Sequence, residues 1–175
     1  MKKNTTQKVA FGGVIAALYV VLTMIAAAMG LASGAIQVRL SEALTILPVF
    51  TAAAVPGLTV GCVLANLITG CAAWDVVFGS LATLLGAAGT RLLKNKPLLA
   101  WIPPVVSNMA IVPIVLMKVY GVDNVDVFGS VFNGDSLWIM LVVTVGIGEI
   151  IACGVLGMLL YHALKKNPRI LEVLD

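Results

Sequence analysis

From residue 43 to residue 74 the chain carries no Asp, Glu, Lys or Arg, and a second long apolar run, over residues 9–29, precedes it. Continuous apolar runs of this length cannot form the alternating strands of a membrane β-barrel, which show one face to lipid and one to water. A water-facing surface is also out of reach. Only 11% of the 175 residues are charged and 61% are hydrophobic, against roughly 25% charged in a soluble domain. The fold class is therefore an all-α, polytopic membrane protein. Between the two runs lies a polar cluster, Gln37, Arg39, Ser41 and Glu42. Polarity set between membrane-length segments is costly to keep and points to binding.

The spacing predicts a single membrane domain over 1–175 with six transmembrane helices, over residues 9–29, 41–55, 58–71, 75–93, 98–118 and 135–164. The polar start at Met1 to Lys8 precedes a span-length run, so the first helix is expected to be retained, not cleaved as a signal. Pro56-Gly57 is the expected break in the uncharged stretch, with a kink at Pro48. Asp75 is expected to cap the fourth helix. Residues 120–134 read as the longest loop, and the sixth helix overshoots a ~30 Å hydrocarbon core. Six crossings place both termini on one side with Lys2, Lys3, Lys8, Arg91, Lys94, Lys96, Lys165, Lys166 and Arg169, leaving Arg39 and Lys118 opposite. The positive-inside bias then makes the termini cytoplasmic, in a plasma-membrane protein. Basic residues at helix ends report topology, so no nucleic acid is expected as a partner.

Glu149 is the one charge near mid-membrane and needs an interior partner. Asn66 and Asn108 add polar groups at depth, whether as ligand contacts or as interhelical hydrogen bonds. Arg39 and Glu42, three apart, either pair with each other or line a ligand site. Trp138, with Phe128 and Phe132, flanks the long outer loop and offers rings to stack on a planar ligand or to sit in an aromatic belt. Cys62, Cys71 and Cys153 have no metal-ligand spacing and read as small core residues. With one histidine, His162, no His/Cys cluster and no nucleophile–base pair, neither a metalloprotease nor a Ser/His hydrolase can be assembled, and an enzyme is not expected. No Gly-rich phosphate loop follows a strand, so ATP is not bound by that route. Gly12, Gly13, Ala16 and Ala17 set small residues four apart on the first helix, a close-packing signal.

Taken together, RLSEALTILPVFTAAAVPGLTVGC, LANLITG and WDVVFGSLATLLGA resemble the QueT family, substrate-binding S components of energy-coupling factor (ECF) transporters, over most of the chain. The resemblance implies an S-component-like bundle that captures a queuosine precursor, a 7-deazaguanine, near the outer face under the loop at 30–40. It also implies docking, through Gly13 and Ala17, on a membrane T component with two ATPase subunits, whose ATP hydrolysis topples the bundle. No cofactor or metal is implied. For such a ligand Glu149 or Glu42 is expected to accept the base edge. Asn66, Asn108 or Arg39 would donate to the ring carbonyl, Trp138 would stack, and Asp75 would answer an aminomethyl cation. The alternatives are another vitamin or purine-like solute, or an assembly subunit that transports nothing.

Overall fold

The computed structural model describes residues 5–31 and 36–167. Lys2, Lys3, Arg169 and residues 32–35 of the expected 30–40 loop lie outside them. Helix α1, Thr5–Ala28, is apolar on all sides. Its 24 residues span about 36 Å at 1.5 Å each. Val14, Leu18, Val21 and Ile25 are exposed, while Ile15, Ala16, Tyr19 and Ala26 face the bundle.

A ten-residue 3-10 helix follows, Leu40–Val49, where the spacing predicts an α-helix over 41–55. Runs of this geometry beyond three or four residues are uncommon. Three residues per turn set Glu42, Thr45 and Pro48 on one face, and all three are buried. Thr45 Oγ1 donates back to the Glu42 carbonyl at 2.6 Å.

The expected break at Pro56-Gly57 falls instead at residues 50–53, and α2 runs Ala54–Ile68. Pro56 sits in its first turn, where backbone N–H groups have no intrahelical acceptor and a missing one costs little. Gly57 is a seat for α1: a Cβ there would come 2.7 Å from the Gly12 carbonyl oxygen. One at Gly61 would come 2.8 Å from the Tyr19 Cβ. The small-xxx-small pair that brings α1 and α2 together is thus Gly57 and Gly61, closing on Gly12 and Ala16.

Helix α3, Ala73–Leu92, carries Asp75 in its first turn rather than at the cap. A short 3-10 turn, Pro97–Leu99, leads into α4, Ile102–Lys118. The segment read as a loop contains an antiparallel hairpin, β1 Asn124–Val127 and β2 Ser130–Asn133. Phe128 at its turn has φ +52°. Hairpin turns of that shape favour Asn-Gly or Asp-Gly, so Phe128-Gly129 gives little sequence warning. The last helical path, Asp135–Lys165, is not uniform. Helix α5, Asp135–Glu149, widens into a π-helical stretch, Ile150–Leu156, before α6, Gly157–Lys165.

Four of these apolar paths are long enough to cross a membrane: Thr5–Ala28, Ala73–Leu92, Pro97–Lys118 and Asp135–Lys165. The 3-10 helix and α2 are shorter. At about 2.0 and 1.5 Å per residue they extend about 20 and 23 Å. The 3-10 helix packs against α1, α3, α6 and the π-helical stretch, which places its side chains at the centre.

Candidate functional site

Polarity gathers around that central helix. Glu42 is fully buried. Its Oε1 accepts a hydrogen bond from the Tyr19 hydroxyl on α1 and a longer one, 3.4 Å, from Thr83 on α3. Its Oε2 has no partner among the described residues. Cys153, in the π-helical stretch, places its thiol 3.3 Å from Glu149 Oε2 and 3.5 Å from the Glu42 carbonyl. Donor atoms of Glu42, Glu149 and Cys153 lie within 4.8 Å of one another; of the described side chains, these three are placed to hold a cation.

Arg39 does not pair with Glu42. Among the described residues no carboxylate comes within 4.0 Å of its guanidinium. It stands in the wall between two cavities. The larger, about 390 Å³, lies among α1, α2, α3 and α4 and is lined by Asn66, Asp75, Tyr120, Gln37 and Arg39. The smaller, about 120 Å³, lies between α4 and α5 and presents Glu149, Thr144, Gln37 and Arg39. Val125 of β1 lines that smaller cavity and pairs across the hairpin with Phe132, so the hairpin covers it. Ser41 also lines the larger cavity, held by a 2.9 Å bond from Thr23.

The strap carrying Gln37 and Arg39 lies against bare backbone. A Cβ at Gly148 would fall 2.0 Å from the Gln37 carbonyl oxygen. At the other end of the larger cavity the Tyr120 hydroxyl donates to Asp75 Oδ2 at 2.8 Å and accepts from the Ala72 N–H at 3.2 Å. This ties the chain beyond α4 to the start of α3. Partial desolvation, with the adjoining Asp75 carboxylate as a second cause, pushes the Tyr120 phenol up to about 12.

Of the side chains singled out in the sequence, Arg39, Asn66, Asp75 and Glu149 line the cavities, and Glu42 lies fully buried inside the bundle. Two stand apart. Asn108 is buried but lines neither cavity; its Nδ2 donates to the Pro104 carbonyl of its own helix at 3.1 Å. Trp138 is 39% exposed and Phe128 96% exposed, and neither lines a cavity. Gly13 and Ala17 are exposed on α1, and Gly13 lines an apolar groove beside Pro56 and Val60. Tyr19 and Thr83 join the cluster at Glu42, and Cys153, expected as a small core residue, meets Glu149. A tyrosine in mid-span needs a partner for its hydroxyl, and Cys153 is one helical turn from Glu149; both signals are present in the sequence.

Membrane-length helices around two partly open cavities that carry Arg39, Asp75 and Glu149 on their walls define a multi-pass membrane protein. Residues 9–166 match the model of the family described as QueT transporter, and the chain belongs to that family. It is 36% identical over 86 residues to the Queuosine precursor transporter QueT of Lactococcus lactis subsp. cremoris (strain MG1363). That match covers 49% of this chain and 50% of the relative, so the alignment spans about half the length of each. No solved structure matches.

Proposed function

We propose that this protein is the S component of an ECF-type importer for a queuosine precursor, queuine or its aminomethyl precursor, taken up at the outer face of the plasma membrane. The observation that carries this reading is Arg39, a guanidinium with no carboxylate close by, set between a cavity holding Glu149 and one holding Asp75. A 7-deazaguanine asks for that arrangement. Its N1–H and exocyclic amine form a donor pair that the Glu149 carboxylate accepts, and its ring carbonyl accepts from Arg39. A well-made bidentate contact to a base edge is worth about 1–3 kcal/mol. The group on the five-membered ring extends into the larger cavity, where Asp75 and Asn66 meet an ammonium or a diol. Glu42 shapes the site from behind, holding the central helix to α1 and α3.

Six crossings with cytoplasmic termini remain part of this reading, with the 3-10 helix and α2 as the short pair. The exposed Gly13 and Ala17 are the face offered to a membrane T component, which two ATPases drive. The test is calorimetric titration of the purified protein with queuine, its aminomethyl precursor, guanine and riboflavin. The expected result is tight binding of the queuosine precursors. Riboflavin binding alone would move the protein to another vitamin, and binding of none would leave an assembly role.

A further inference from the structure

A second recess lies far from these cavities, where the last turn of α6 meets the connection between α3 and α4. It is an open groove of about 560 Å³ lined by Asn95, Lys96, Leu98, Leu99, His162 and Lys165. Its floor is built. Tyr161 is 7% exposed, stacks on Phe50 with ring centroids 5.4 Å apart, and lies 5.8 Å beneath the Lys165 ammonium. Among the described residues no carboxylate lies within 4.0 Å of Lys96 or Lys165. His162 Nδ1 is 2.7 Å from the Met158 carbonyl; a carbonyl only accepts, so Nδ1 carries the hydrogen and Nε2 is left for another partner.

Charge and apolar surface are placed together here. Lys94 and Lys166 flank the groove in sequence, and none of the described acidic residues is on its wall. Arg91 is already engaged, donating to the Pro48 carbonyl at 3.0 Å. Beside the cations, Leu92 is 84%, Leu98 65% and Leu99 47% exposed, at the end of two membrane-length helical paths. A soluble anion would use the lysines and leave these leucines in water. A lipid uses both, with its phosphate between the cations and its chains along the leucines; basic recesses at the ends of membrane helices suit anionic headgroups.

We propose that this groove is a binding site for an anionic phospholipid, whose phosphate sits between Lys96 and Lys165 within reach of the Asn95 amide, with His162 Nε2 left to accept from a headgroup hydroxyl.

The test is native mass spectrometry of the full-length protein in detergent micelles. Phosphatidylglycerol or phosphatidylcholine of the same acyl composition is added. The wild type is expected to retain phosphatidylglycerol preferentially, and the Lys96→Gln/Lys165→Gln double variant to lose about tenfold of that retention. Lys96→Arg/Lys165→Arg is expected to keep it, and Lys118→Gln, at the other end of the bundle, to leave it unchanged. Both groove lysines are exposed, so an unchanged melting temperature confirms that the double variant is folded. Equal retention of the two lipids by the wild type, or full phosphatidylglycerol retention by the double variant, overturns the site and leaves the lysines to an acidic protein surface. Binding of free sn-glycerol 3-phosphate as tight as that of the lipid overturns the lipid assignment.

Discussion

The carbonyl oxygen of Gln37 occupies the space where a side chain at Gly148 would begin, 2.0 Å from an ideal Cβ. That contact fixes the strap bearing Arg39 against α5, one residue before Glu149. Cation and carboxylate are therefore held in register by a backbone-to-backbone fit.

Gly148→Ala is expected to push the strap outward, lowering precursor affinity about tenfold or more and destabilising the fold by about 1–3 kcal/mol, as overpacking does. Gly146→Ala is the control. Its Cβ would meet only the flexible Met109 side chain, at 3.0 Å, and a smaller loss is expected. Titration calorimetry and thermal melting in detergent read both.

Glu149→Gln keeps the shape of the side chain and replaces one acceptor oxygen with a donor. Precursor binding should weaken by about 1–3 kcal/mol, roughly five- to 150-fold. Unchanged uptake in cells would leave Glu149 a packing role only.

Tyr19→Phe removes the stronger of two donors to a fully buried carboxylate. Leaving a buried acceptor short of a partner costs about 1–3 kcal/mol, so the melting temperature should fall. Thr83→Val, removing the 3.4 Å contact to Glu42 and a 3.2 Å bond to the Gly79 carbonyl of its own helix, should cost less.

The Tyr120–Asp75 latch has a pH signature. Because the Tyr120 phenol is raised to about 12, the stability it contributes is fully present below its unfolded value near 10. It is lost as pH rises toward about 12. The ring-carbon signal of labelled Tyr120 should therefore titrate late, and in Asp75→Asn the transition should move down.

How much of this could be read from the chain follows from what each feature depends on. Helical class and membrane length rest on summed apolarity, which is local, so Thr5–Ala28 and the path from Asp135 were legible. The geometry at Leu40–Val49 and the widening at Ile150–Leu156 depend on what surrounds them, and no local signal announces either. The break near Pro56 was misplaced because proline is disruptive inside a helix but tolerated in its first turn. Arg39, Asn66, Asp75 and Glu149 were legible as residues turned to interior cavities because a polar group in lipid needs a reason to be there. Asn108 obeys the same rule and satisfies it within its own helix. Trp138 marks a membrane edge as readily as a ligand, and its exposure favours the edge.

The seating of α1 on α2 carries a consequence for any encounter in the bilayer. Successive residues on an α-helix are about 100° apart around its axis, so the row of Gly12 and Ala16 and the row of Gly13 and Ala17 look in different directions. Gly57 and Gly61 take up the first row. Only the second remains, so a neighbouring helix seeking α1 is offered one compass bearing, and arrival from any other side meets bulky side chains or the bundle itself.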